Sequence, residues 1–447
     1  MTSRRKTIWG WAFYDWANSA FATTVMAGFF PIFFKTYWSQ GVDVNISTAR
    51  LGFGNAAAGL IVALMAPVLG AMADQGSRRK GFLLSFAYLG VLGTAGLYFI
   101  RQGQWQLATA MYVVGIIGFS GANIFYDALL PIVSGGSRMD MVSSLGYAMG
   151  YLGGGLLFLV NVAMTRYPAA FGLPDVESAI RTAFLSVAVW WGAFSLFTAF
   201  WVKEPEAGPR AAVSLRRGLA RIFDTLANIR RRKAAFWFLL AYWCYIDGVD
   251  TVIRMAVDYG LSLGFDASAL VIAILIVQFI GFPAAVLFGN LGERWGVRKA
   301  LYLGIGAYML ITLGGTFMSR KEEFFALAAG IGLVQGGIQA LSRSYFARLI
   351  PAERSGEFFG FYNMLGKFAA IVGPALVAVA NLIAREMMMP ADPTAEQLLA
   401  VSRLASRWGM ASILILFAAG GALLFQVKAA EKRSDNGVNG DGNASPA

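Results

Sequence analysis

A chain of 447 residues with 57% hydrophobic and only 14% charged side chains has too few charges for an ordinary soluble enzyme, where about 25% is usual, and too much apolar material for a disordered chain. It contains no histidine and one cysteine, Cys244, which excludes histidine catalysis, histidine pH sensing, clustered thiolate metal sites and an intrachain disulfide framework. A net charge of +12 could suit nucleic acid, but its placement along the chain points to a membrane surface instead.

In chain order, twelve apolar runs are long enough to cross a hydrocarbon core of roughly 30 Å. They lie near residues 11–34, 51–73, 81–100, 106–130, 141–164, 180–202, 235–257, 267–290, 300–318, 324–349, 358–384 and 408–428. The runs are continuous and rich in Leu, Ala and Gly, so they read as helices, which satisfy their own backbone hydrogen bonds in lipid. A β-barrel would need short alternating segments. Asp15 interrupts the first run too early for a cleaved signal peptide, so that run is expected to remain as a span.

Basic residues gather in alternate connections: Arg4, Arg5 and Lys6, then Arg78, Arg79 and Lys80, then the central loop, then Arg294, Arg298 and Lys299, and finally Lys428, Lys432 and Arg433. The positive-inside rule then places both termini in the cytoplasm. The central loop, residues 203–233, opens with a Pro/Gly cluster. Beyond it, Leu215, Leu219, Ile222, Phe223, Leu226 and Ile229 share a helical face bordered by Arg216, Arg217, Arg221 and Arg230 to Arg232. Such a helix is expected to lie on anionic inner-leaflet lipid. The domain plan is six spans in 1–202, a linker at 203–233, six spans in 234–430, and an Asn/Gly/Asp/Ser-rich tail at 431–447 expected to be disordered.

The halves repeat. After span 2 the chain reads Gly70, three residues, Asp74, a Gly-containing turn, then Arg78, Arg79 and Lys80. After span 8 it reads Gly289, three residues, Glu293, Arg294, Gly296, then Arg298 and Lys299, the more regular copy. Asp15, Asn18 and Ser19 in span 1 are matched by Asp247, Asp250 and Thr251 in span 7. Two matches in the same order indicate a duplicated unit.

These loops resemble the signature of the major facilitator superfamily. Within it, Tyr14-Asp15-Trp16-Ala17-Asn18-Ser19-Ala20 is similar to the hallmark of the vacuole-effluxer branch, the fungal autophagy-related vacuolar permeases and their bacterial relatives. Gly336 to Ser344, Pro351, Glu357 to Gly360 and Asp247-Gly248 extend the resemblance over nearly the whole chain. It implies an all-α protein of twelve transmembrane helices in two pseudo-symmetric six-helix bundles. It also implies a secondary transporter for a small polar metabolite, amino acids in the fungal members, in a bacterial cytoplasmic membrane. No cofactor, metal or nucleic acid is expected. A monomer is expected, with protons as a candidate coupling ion. No phosphate-binding GxxxxGK[ST] loop occurs, so the driving force is an ion or substrate gradient.

Ionisable side chains in lipid are costly and mark pathways. A cavity lined by spans 1, 4, 7 and 10 is expected to use Asp15, Trp16, Asn18, Asp127, Tyr245, Asp247, Asp250, Arg254, Gln339 and Lys367. Asp247 lies about 18 Å along span 7, near the bilayer middle, and Lys367 about 14 Å along span 11. Asp250 and Arg254 are spaced for an ion pair, which leaves Asp247 as the acid expected to carry a proton. By resemblance, Gly70, Asp74, Arg78, Arg79, Gly289, Glu293, Arg294, Arg298 and Arg343 form a cytoplasmic gate, the two acids bonding helix N-termini in the opposite half. The competing readings are an intramembrane enzyme using Asp247 and Asp250, or a channel or receptor.

Overall fold

The computed structural model describes residues 3–75, 78–204, 224–262, 267–318, 320–390 and 394–440. Among the described residues there are twelve long helices. In the first half they are α1 Ser3–Trp38, α2 Val44–Asp74, α3 Arg79–Gly96, α4 Trp105–Ser134, α5 Met139–Arg166 and α6 Val176–Trp201. In the second they are α7 Lys233–Ser262, α8 Ala267–Trp295, α9 Val297–Phe317, α10 Lys321–Leu349, α11 Ser355–Met388 and α12 Ala395–Gly440. All twelve contain a stretch apolar and long enough to cross a membrane, and the chain is a multi-pass integral membrane protein.

Local chemistry sets the helix ends. Asp175 precedes α6 and its carboxylate accepts from Ser178 N at 2.7 Å, a side-chain cap. Gly135, with φ of 54°, ends α4 in the left-handed conformation that a side chain would disfavour. Outward of Asn18, α1 widens into π-helical turns at Phe21–Phe29 and Phe34–Trp38, around Gly28 and Pro31.

Packing between helices in lipid depends on close approach. A methyl group on Gly118 would lie 2.3 Å from Gly90 N, which locks α3 against α4. Between the halves, α2 packs along α11 and α5 along α8. These two contacts exchange under a swap of halves, as a duplicated unit requires. The start of α1, the end of α12 and the described helix ends that flank the connections after α2, α4, α6, α8 and α10 share one face, here called the terminal face.

Two expectations about the connections change. Most of the amphipathic linker stretch, including Leu215, Arg216, Arg217 and Arg221, lies outside the described residues. Its described end, residues 224–231, is helical and touches protein: Thr225 Oγ1 donates to Glu357 Oε2 at 2.7 Å. The tail expected to lose order from residue 431 instead keeps a helical backbone to Gly440. Glu431 anchors it, accepting from Arg298 Nη1 and Tyr345 Oη, both at 2.8 Å. Residues 441–447 lie outside the described set.

Candidate functional site

The terminal face is closed by two layers of polar contacts between the halves. The outer layer holds residues expected at a gate. Asp74, the last residue of α2, accepts from Gly356 N at 3.0 Å and Glu357 N at 2.9 Å, buried N–H groups in the first turn of α11 that have no partner within the helix. An anion at a helix N-terminus satisfies orphan donors and opposes the helix dipole. Buried Arg79 pairs with Asp74 at 2.6 Å and donates across the interface to the carbonyls of Ala352 and Glu353. Gly70 permits this approach, since a Cβ there would lie 2.0 Å from the Gly356 carbonyl oxygen.

The second copy is looser, although its sequence is the more regular. Glu293 is exposed and accepts one bond from Met141 N, at 3.3 Å. Arg298, the counterpart of Arg79, turns to Glu431 instead. Gly289 still allows close packing, its Cβ position being 2.7 Å from Ser144 Cβ. Arg78 and Arg294 are exposed and end spans without joining the halves. The firm tie on this side is one the motif did not reveal. Buried Asp140, at the start of α5, accepts from Ser344 Oγ at 2.5 Å and pairs with Arg348 at 2.9 Å, both on α10.

At the end of α6, Glu204 accepts from Arg79 N and Lys80 N, at 2.9 and 3.0 Å, capping α3. Burial pushes its carboxyl above the usual range, against the pull of those two N–H donors.

The inner layer centres on Arg343, expected at the gate but found deeper, 2% exposed. Its Nη1 lies 3.1 Å from Asp127 Oδ1 and 4.0 Å from Asp15 Oδ2. Its Nε and Nη2 donate to the hydroxyl and carbonyl of Ser143 at 2.9 and 2.8 Å. Rings of Tyr147, Trp11 and Tyr126 surround the guanidinium at 4.5, 4.9 and 5.1 Å. Asp127 also accepts from Asn363 Nδ2 at 3.0 Å, and Asp15 from Tyr126 Oη at 3.1 Å. Asn18 donates to Asn123 at 2.7 Å within its own half. Gln339, half-buried, stands one turn from Arg343 on the same face of α10.

Above this layer the last polar tie between described residues of the two halves is Gln278 Nε2 to Thr23 Oγ1, at 2.9 Å. It lies eleven residues from the start of α8, about 16 Å along the helix. Tyr151 fills the space beside it, its ring against Gly281 and Gly336.

Several expected cavity residues are placed elsewhere. Trp16 packs between α5 and α6, its ring 5.5 Å from that of Trp190 and against Gly153, so it belongs to the N-terminal bundle interior. Tyr245 is fully buried and shares a 2.6 Å hydrogen bond with Ser342 within the C-terminal half. The bonding expected of Asp247 and Asp250 differs from that found. Asp247, 1% exposed, accepts from Gly373 N at 2.9 Å and Thr251 Oγ1 at 3.3 Å, pinning α7 to the bent part of α11 before Pro374. A Cβ at Gly373 would fall 1.9 Å from Thr251 Oγ1. Asp250 is half-buried, is not ion-paired with exposed Arg254, and feels the charges of both Arg254 and half-buried Lys367. By helix rise, these three charges lie further from the terminal face than the inner layer.

Tyr126, Ser143, Tyr147, Asn363 and Asp140 were not identified from sequence. Tyr126 adjoins Asp127, and Asp140 opens a span among basic residues, but nothing in their spacing names a partner about two hundred residues away.

A model of the family described as "Vacuole effluxer Atg22 like" matches residues 3–50 and 42–390. The MFS-type transporter YxiO of Bacillus subtilis (strain 168) is 41% identical over 377 residues, covering 83% of this chain and 87% of that protein. The chain belongs to the Atg22-like vacuole effluxer family of MFS-type transporters. Autophagy-related protein 22 of Coccidioides immitis (strain RS) is 22% identical over 500 residues, covering 83% of this chain and 81% of that protein. The crystal structure of the human organic anion transporter MFSD10 (TETRAN) superposes with a TM-score of 0.67 at 13% identity, over 95% of this chain and all of the other. That likeness establishes the two-bundle major facilitator fold.

Proposed function

We propose that this effluxer-family chain is a secondary transporter that moves a small polar metabolite, an amino acid by kinship with the fungal effluxers, by alternating access coupled to protons. One observation carries the reading. The polar ties between the halves found among described residues run from the terminal face to Gln278–Thr23 and no further. A conformation whose halves are tied at one face, with no polar tie among described residues beyond mid-depth, suits one end state of an alternating cycle. The positive-inside bias makes the sealed face cytoplasmic, with both termini inside a bacterial cytoplasmic membrane. The chain acts as a monomer. The intramembrane-enzyme reading finds no support in Asp247, whose carboxylate is occupied by Gly373 and Thr251.

Purified protein in liposomes, tested for uptake and release of labelled amino acids with and without a pH gradient, examines this directly. Accumulation that collapses when the gradient is dissipated is expected. No movement of any amino acid would overturn the substrate, and movement indifferent to pH would overturn proton coupling.

A further inference from the structure

Asp127 on α4 is held across the interface. Oδ1 faces Arg343 Nη1 at 3.1 Å and Oδ2 faces Asn363 Nδ2 at 3.0 Å, both from the C-terminal half. Asp15 keeps donors of its own half, Tyr126 and Ser19, and Asp247 keeps Gly373 and Thr251. Arg343 is the mirror case, since its hydrogen bonds and ring contacts go to Ser143, Asp127, Tyr147, Trp11 and Tyr126 of the N-terminal half. Parting the halves on the terminal face therefore strips Asp127 of both its donors and Arg343 of its partners; Asp15 loses the same guanidinium, at 4.0 Å, but keeps Tyr126 and Ser19, and Asp247 keeps all its ties.

We propose that Asp127 is the proton-binding group of the transport cycle and Arg343 its exchange partner: the acid is ion-paired to Arg343 when the terminal face is closed and protonated when it is open. This rests on the alternating-access reading above. A carboxylate that has lost its donors between helices is stabilised by taking a proton. The proton comes from water entering the opened face and forms an O–H bond on Asp127. When Arg343 returns, that bond breaks and the proton passes to water on the side then open. Asp127 is nearly buried with the terminal face closed, at 8% exposure. The charged and titratable groups facing it are Asp15 on α1, Tyr126 beside it on α4, Tyr147 on α5 and Arg343 on α10, while α11 presents neutral Asn363. Freed Arg343 then offers an unpaired guanidinium to an anionic group of the substrate.

Because the proton binds the open-face state, acid must favour that state, by up to about tenfold in population ratio per pH unit for one proton. The test uses full-length protein in liposomes on a Cys244→Ser background, with spin labels on Lys203→Cys and Arg294→Cys, exposed positions on the terminal face of opposite halves. Their distance distribution is read from about pH 8 to about pH 5. Acidification is expected to move the parent from the short to the long distance. Asp74, Asp140 and Glu293 also tie this face, so the decisive comparison is between variants. Asp127→Asn is expected to favour the long distance throughout, with a pH response at least about tenfold smaller than the parent. Asp15→Asn and Asp127→Glu are expected to retain the response. If Asp127→Asn does not fold, the charge-free double variant with Arg343→Gln supplies the same measurement. A parental response in Asp127→Asn, or its loss in Asp127→Glu, overturns the assignment while leaving alternating access intact. A single distance in every protein at every pH overturns alternating access itself.

Discussion

The carboxylate of Asp74 and the backbone N–H of Gly356 meet at 3.0 Å across the interface of the two halves, where Gly70 leaves no room for even one added carbon. Charge, helix N-terminus and missing side chain act together there. The contact exists only while the terminal face is shut, so substitutions at it change the balance of states more than the fold.

Gly70→Ala should hold the terminal face open, because its methyl would lie 2.0 Å from the Gly356 carbonyl oxygen and both partners are backbone. Ser355 is fully buried beside Ala128 in the closed form. A cysteine at Ser355, on the Cys244→Ser background, should react with a membrane-impermeant maleimide from the terminal face at least about tenfold faster in Gly70→Ala, the signature of about 1.4 kcal/mol. Equal rates would show that α2 and α11 can slip past each other.

The two gate acids should be unequal. Asp74→Ala leaves two N–H groups and buried Arg79 without their acceptor, a loss of about 2–4 kcal/mol to the closed state. Glu293→Ala removes one long, exposed bond and should change the closed fraction by no more than about twofold. Distance measurements across the terminal face for both variants check this ranking.

Asp247 and Gly373 should behave as a structural pair. Gly373→Ala forces a methyl against Thr251 and separates α11 from Asp247, costing about 1–3 kcal/mol. Asp247→Asn keeps an acceptor oxygen for Gly373 N and should melt close to the parent. Thermal unfolding in detergent, followed by size-exclusion chromatography, distinguishes the two. Proton-driven accumulation that fails in Asp247→Asn despite normal melting would return Asp247 to the coupling site.

Glu204 gives a pH signature outside the membrane. Burial raises its folded-state pKa above the ordinary glutamate value, so between the two values the folded chain binds more protons than the unfolded chain. Its contribution to stability is then greatest below about pH 4.5 and falls as pH rises through the folded value. Glu204→Gln should flatten that part of the stability profile, read from melting temperature against pH. Glu204→Ala should also lower melting at every pH, because Arg79 N and Lys80 N lose their cap.

Twelve spans, the duplicated halves and the contact of Asp74 with a helix N-terminus in the other half were legible in the chain because each is a local signal. Apolar length reports a span, basic loops report a side, and an acid–Gly–basic turn reports a helix end facing an anion. The inner layer was not legible in the same way. Asp127 and Arg343 stand 216 positions apart, and no periodicity relates them. Asp247 and Asp250 share a helix, and spacing suggested an Asp250–Arg254 pair that would leave Asp247 free. Which acid was satisfied depended on Gly373, a backbone donor 126 positions away beside a proline-bent turn.

The sequence by itself determined an all-helical membrane protein of two six-helix units, since hydrocarbon tolerates only backbone that pairs internally and each helix pairs within its own segment. The tertiary structure decided which charges neutralise one another, which face is shut, and that Arg343 belongs to the inner layer and Arg298 to the last helix. Those outcomes depend on where two halves of one chain touch, and a contact between distant segments is fixed by packing and close approach, which no local pattern of residues encodes.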